Sequence, residues 1–257
     1  MSEAVDERQE LDEEGRVRER YQLREGRLDG EAVSYDPEGR IARTMSYRDG
    51  RIDGEMVVYD AEARVQQRSQ FREGLLDGET VIYDENGWVA QRISYRQGKP
   101  DGECVVFNAG RMVLRFHYRN GVREGELLGY DEKGQVTTRS SYRAGKLSGE
   151  STWYDPQGRV IRKASYRDGK LHGEALDYHD TGELREKAFY ENDLLHGTLT
   201  RYYRSGQIQE KLTFREGKMV GAPIEYDEKG AVRAKEPDGS PKLSWLGRIT
   251  VRSAGAF

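Results

Sequence analysis

Shifted against itself by 24 residues, the chain brings Tyr47, Phe71 and Tyr95 into one column, which begins at Leu23 and runs on through Tyr118, Tyr142, Tyr166, Tyr190 and Phe214. A second column is Gly throughout, from Gly30, Gly54 and Gly78 to Gly173, Gly197 and Gly221. A third is aromatic throughout, from Tyr35 and Tyr59 to Tyr202 and Tyr226. The step from Tyr95 to Tyr118 is one residue short, and the shortening falls between Phe107 and Gly110, in a turn. A fixed period of this length, punctuated by Gly, marks a stacked repeat architecture.

Within one unit the apolar residues recur at every second position. Ile41, Met45 and Tyr47 share a face of one strand, and Val57 and Tyr59 share a face of the next. Between the strands lies Asp49-Gly50-Arg51-Ile52-Asp53-Gly54, and after the second comes Asp60-Ala61-Glu62-Ala63-Arg64. Each unit therefore predicts a β-hairpin with Gly where positive φ is required. The expected fold class is all-β: an elongated twisted antiparallel ribbon of stacked hairpins with no substantial helix, on the order of 90 Å long at about 4.8 Å per strand. Residues 1–10 read as an acidic disordered leader, 11–235 as a half-repeat plus nine units, and 236–257 as a C-terminal cap or tail.

A composition of 35% hydrophobic and 34% charged residues is polar for a chain of 257 residues in a spherical fold. A ribbon has more surface for its volume and buries one stripe per repeat, so fewer aliphatic residues suffice. The 16 Tyr suit it, because a ring packs sideways while its hydroxyl stays wet. Cys104 is the single cysteine, which leaves no internal disulfide and no thiolate metal cluster and points to a reducing compartment. Residues 1–14 hold no signal-peptide core, and no run of about 18 apolar residues is present, so a cytoplasmic location is expected.

The Tyr-x-x-Gly-x-x-x-Gly core, seen in Tyr166 to Gly173 and followed by Tyr178 and Gly182, resembles the MORN repeat. It is more closely similar to the bacterial variant found in the YwqK family of toxin–antitoxin antitoxins, over roughly residues 11–235. The commonest MORN pattern has Gly-x-Gly in its second half, whereas this chain has Gly-Glu, as in Gly54-Glu55, which favours the variant. The resemblance implies a hairpin ribbon used as a binding scaffold, an antitoxin or immunity role, and no catalytic residues.

Between the packing columns stand two rows of cations. Three residues before each aromatic are Arg20, Thr44, Arg68, Arg92, Arg115, Arg139, Lys163, Lys187 and Lys211; one residue after it are Arg24, Arg48, Arg72, Arg96, Arg119, Arg143, Arg167, Glu191 and Arg215. Positions four apart share a strand face about 13 Å apart, so these are parallel ladders on one side of the ribbon. Two readings are open. The ladders are a solvated face paired with Asp29, Asp53 and Asp77 before the Gly and Glu31, Glu55 and Glu79 after it, each pair worth roughly 0–1 kcal/mol; or they are a positive ribbon for an acidic partner.

Off its Tyr face the second strand carries Met56, Val58, Ile82, Val106, Leu127 and Trp153. Apolar residues on both faces of a single layer mean that the second face is covered, either by the ribbon curling on itself or by a partner. Together with Arg68, Arg92, Arg115, Arg139 and Lys163 they would make a groove with an apolar floor and cationic walls, and these residues are the expected partner-binding set.

His172 and His196 share a repeat position on the order of 10 Å apart once stacked, too far to share a metal. Cys104 reads as a small apolar filler. No nucleophile–His–acid set and no phosphate-cradling motif is recognisable. The expectation is therefore no enzyme, no cofactor and no metal, with nucleic acid disfavoured by the acidic leader and the net charge of -4. The expected partner is a protein, a cognate toxin or effector; the alternative is a structural or anionic-lipid-associated scaffold that uses the same ladders.

Overall fold

The computed structural model describes residues 5–233, so the cap or tail expected at 236–257 lies outside the described residues. Those residues form one antiparallel sheet of 23 strand segments with no helix, as the period-two pattern required. After β1 (Asp6–Leu11), the hairpins are β2 (Val17–Arg24) with β3 (Arg27–Tyr35), β4 (Ile41–Arg48) with β5 (Arg51–Tyr59), and so on to Ile208–Arg215 with Lys218–Met219 and Ile224–Glu225. Each strand pairs with the strands before and after it, and the main strand contacts are between these sheet neighbours. The ribbon is thus a single layer.

The start of the chain corrects one expectation. Residues 6–10, read as disordered leader, lie in β1, which pairs with β2 from Asp6↔Leu23 to Glu10↔Glu19. The free edge of β2 offers a row of backbone donors and acceptors that a further strand can satisfy. Its exposed, charged side chains suit an outermost position, and Glu7 lies 3.6 Å from Arg20.

Two kinds of turn build the long edges. At the β4–β5 tip, Asp49 (φ 49°) and Gly50 (φ 78°) are both left-handed, as a type I′ two-residue turn demands. Successive tips are tied together: the Gly74 N–H donates to the Ile52 carbonyl at 2.7 Å, and the Asp53 carboxylate accepts the Glu73 N–H at 3.2 Å. On the other edge Asp60 folds its own loop, Oδ1 accepting the N–H groups of Glu62 and Arg64 at 2.9 and 2.8 Å and Oδ2 accepting Arg64 Nε at 2.8 Å. The shortened turn has just Ala109 and Gly110, both at positive φ, between the paired Asn108 and Arg111. The Trp88 ring from the preceding loop lies against Gly110 and leaves no room for a Cβ there.

Register assigns the faces, because neighbours along a strand point to opposite sides. On one face Ala32, Met45, Met56, Ser69, Thr80, Ile93, Cys104 and Phe116 follow one another across successive strands. This row is the core stripe: Cys104 and Ser69 are 0% exposed, and Ala164 and Leu212 continue it at 1% and 2%. The first aromatic column flanks it, with the Tyr47 hydroxyl 3.7 Å from Met45 Sδ. On the other face Thr44, Val57, Arg68, Val81, Arg92, Val105 and Arg115 alternate. Val33 and Val57 are buried there among the stems of these long side chains, which cover apolar surface while their charged ends stay in water.

Candidate functional site

The register separates the two halves of the groove expected from the sequence. Arg68 stands opposite Val57 and Val81, whereas Met56 stands opposite Ser69 and Val58 opposite Gln67. Likewise Arg139 stands opposite Leu128 and Thr152, while Leu127 pairs with Ser140 and Trp153 with Thr138 and Arg162. Arg68, Arg92, Arg115, Arg139 and Lys163 therefore occupy one face, and Met56, Val58, Ile82, Val106, Leu127 and Trp153 the other. No groove with an apolar floor and cationic walls is formed. The expectation placed the apolar set beside the ladders, and a shift of one residue in strand parity sends a side chain to the far face.

The apolar set has structural work on its own face. Leu127 packs with Cys104 and Phe116, with Val106 and Ile93 against them. Val58 and Ile82 line an open hollow of about 540 Å³ between the Asp60 and Asp84 loops. Along the row from Val58 to Trp153 the residues are apolar or uncharged; beyond Trp153 it turns ionic, through Arg162, Asp177, Glu186, Arg201 and Glu210. Arg201 bridges Glu186 at 2.9 Å and Glu210 at 2.8 Å, and Arg162 lies 3.4 Å from Asp177. Burial pushes the Asp177 and Glu210 carboxyls above their ordinary values, and the adjacent guanidinium groups do not fully offset it. Burial also pushes the Cys104 thiol up, as befits a filler.

On the cationic face the first ladder is largely answered by its own sheet. Arg68 meets Glu55 at 3.1 Å, Arg139 meets Glu126 at 3.3 Å, Lys163 meets Glu150 at 3.1 Å, Arg115 meets Glu103 at 3.8 Å, and Lys187 pairs with Glu174. The Glu row lies between the two ladders, and hydrogen bonding to Glu55 raises the Arg68 pKa.

The second ladder is different. Arg48, Arg72 and Arg96 reach Asp53, Asp77 and Asp101 at 3.6 to 3.9 Å, with 72 to 73% of each Arg side chain exposed. Each of those carboxylates also accepts a turn N–H of the next hairpin. Across the tip a second cation faces the first: Arg24↔Arg27, Arg48↔Arg51, Arg96↔Lys99, Arg143↔Lys146, Arg167↔Lys170 and Arg215↔Lys218. Like charges placed directly opposite each other oppose pairing. The row of exposed hairpin tips is the strongest candidate for a surface kept for something other than stability. Its second members were missed in the sequence, although a basic residue follows the tip Gly at Arg27, Arg51, Lys99, Lys146, Lys170 and Lys218.

Of the remaining residues singled out, His196 Nδ1 lies 3.5 Å from Glu191, and the buried His172 Nδ1 meets no hydrogen-bond partner among the described residues. Among the described residues no group of His, Cys, Asp and Glu is arranged to hold a metal ion, and no helix is long and apolar enough to cross a membrane.

Stretches 76–97, 171–192 and 195–216 each match the MORN repeat variant family. No curated protein matches the chain. Among solved structures, a GtfA/B complex bound to UDP and GlcNAc is 18% identical, over 43% of this chain and 22% of that one, at a TM-score of 0.19. The Tc holotoxin pore of Photorhabdus luminescens is 13% identical over 89% of this chain and 17% of that one, at 0.20. A TcdB2-TccC3-Cdc42 complex is 12% identical over 90% and 17%, at 0.18. The chain spans 17 to 22% of the length of these solved chains.

Proposed function

We propose that this MORN-repeat protein is a binding scaffold without catalytic chemistry of its own, and that it works as an antitoxin or immunity protein by covering part of a cognate toxin in the cytoplasm. The observation that carries the binding role is the row of like-charged pairs along one edge, such as Arg48↔Arg51 and Arg96↔Lys99, which the sheet does not need and partly resists. A single layer stiffened by tip-to-tip hydrogen bonds holds such a row in fixed geometry, which lowers the entropic cost of docking, and its charge speeds encounter.

The test is purification of tagged chain from its native cell at low salt, identification of a stoichiometric protein partner, and growth of cells that express the partner with and without the chain. The expected result is a partner that arrests growth alone and not in the presence of the chain. A partner that is harmless, or chain that instead pellets with anionic vesicles in a salt-dependent manner, overturns the antitoxin reading.

A further inference from the structure

The cationic edge is not uniform along its length. In five hairpins the first turn residue is itself acidic: Glu25, Asp49, Glu73, Asp168 and Glu216. That carboxylate directly follows the first basic residue of its tip and, in all but the Arg72↔Leu75 tip, precedes a second one by two residues, so it dilutes their charge. In three consecutive hairpins at the middle of the ribbon the same position is Gln97, Asn120 and Ala144. Here Arg96, Lys99, Arg119, Arg143 and Lys146 stand exposed, with no acidic residue at the turn. Among the described residues Arg96 alone of the five forms an ion pair, the long one to Asp101 at 3.9 Å.

We propose that this central stretch of edge is the docking surface for an acidic polypeptide segment in polyproline II conformation, with a carboxylate at every third residue. The inference deepens the binding-scaffold reading and rests on it. Spacing carries the choice of partner. Neighbouring tips are separated by two strands, about 9.6 Å. A polyproline II chain has three residues per turn and a rise of about 3.1 Å, so residues i and i+3 lie on one side at about 9.3 Å, and the mismatch over two steps stays below about 1 Å. An α-helix offers its nearest same-face match at seven residues, about 10.5 Å, and falls out of step roughly three times faster.

A nucleic acid fits less well. Its phosphates follow at a few ångströms, about 3.4 Å per residue along a duplex strand, so several meet each tip. Such a continuous polyanion also faces Asp77, Asp101 and Glu124, which stand one row behind the cations and hold the tips together. A polypeptide with spaced carboxylates answers the cations and passes those positions with neutral residues.

The experiment is fluorescence anisotropy with a labelled twelve-residue peptide of repeating Glu-Pro-Pro. It is compared with a peptide of the same composition whose Glu spacing alternates between two and four residues, and with an oligouridylate of equal charge. The expected result is saturable binding of the regular peptide, weaker binding of the irregular one, and a loss of about tenfold or more in the R96E/R119E/R143E variant. The corresponding Gln variant, which lacks the reversed charge, should lose binding in the same direction. The R68E/R115E/R139E variant, altered in the ladder that meets Glu55, Glu103 and Glu126, should bind as the parent does.

Equal binding of the two peptides, tighter binding of the oligouridylate, or equal loss in both Glu variants overturns the proposal. Circular dichroism confirms that each variant keeps its sheet. Failure of the peptide to bind while a protein partner is still captured sinks this inference and leaves the scaffold reading standing; peptide binding without any native partner does the reverse.

Discussion

The guanidinium of Arg123 lies 4.2 Å from the centroid of the Phe116 ring and 5.0 Å from that of Tyr142. Arg123 takes the place that Ile52, Leu76, Leu147 and Leu171 hold in other hairpins, each opposite a first-column aromatic. The π faces of two rings stand in for the carboxylate that a half-buried cation would otherwise need.

Replacing Arg123 by Leu, the residue type of the column, should therefore change stability by no more than about 1 kcal/mol, the usual worth of a partly exposed cation–π contact. Arg123→Asp sets a carboxylate against the same ring faces and should cost about 2 kcal/mol or more. Urea midpoints of the two variants decide it; similar losses in both would show that the cation itself, and not the packing of its stem, holds the position.

The Gly column divides into two kinds of position, and Ala substitution should separate them. At Gly54 φ is 121° and an added Cβ would stand 2.9 Å from Ser46 Cβ, which is held by the strand opposite. At Gly125 φ is 84° and nothing lies within 4 Å. Gly125→Ala pays for the left-handed backbone, about 1–2 kcal/mol. Gly54→Ala adds an overpacking term and should cost about 3 kcal/mol or more. Combining Gly54→Ala with Ser46→Gly should recover part of the loss in a double-mutant cycle. Equal costs at the two glycines would refute the steric account.

Acid should weaken the loop edge first. Burial raises the carboxyls of Asp36, Asp60 and Asp155, but hydrogen bonds from the backbone N–H and guanidinium of Arg40, Arg64 and Arg159 outweigh it and hold them below the ordinary value of 3.8. A carboxyl whose folded pKa is depressed adds stability above its unfolded pKa and loses it as pH falls through the folded one. Asp177 and Glu210, raised by burial, act in the opposite sense, since the native state then holds their protons more tightly. The parent urea midpoint should fall between pH 5 and pH 2.5, and the fall should be smaller in a D36N/D60N/D155N variant. Parallel pH profiles would remove these loops from the account.

Much of the ribbon was legible because each of its rules is local. The period of Tyr47, Phe71 and Tyr95 set the repeat, the Gly at Gly50 and Gly54 set the turn and the bulge, and the missing residue before Gly110 fell in a turn as expected. The strand at Asp6–Leu11 was not legible, because a short charged segment has no pattern of its own and becomes a strand by pairing with β2. The pairing of Arg68 with Glu55 was legible as one of two readings, since the Glu follows the Gly in unit after unit.

What the sequence by itself determined is the unit: its length, its two strands, its turn chemistry and the alternation that makes a sheet, all set by contacts within some two dozen residues. Only the tertiary structure decided which rows share a face. The cross-strand pairing of each hairpin, Tyr47 with Ile52 and Met45 with Met56 on either side of the Gly54 bulge, sets which residues of the second strand share a face with the first aromatic column, because neighbours along a strand point to opposite sides. That pairing placed Met56 and Trp153 on the core face away from Arg68 and set the Glu row beside the first ladder, while the exposed cations stand at the tips, where Arg96 faces Lys99.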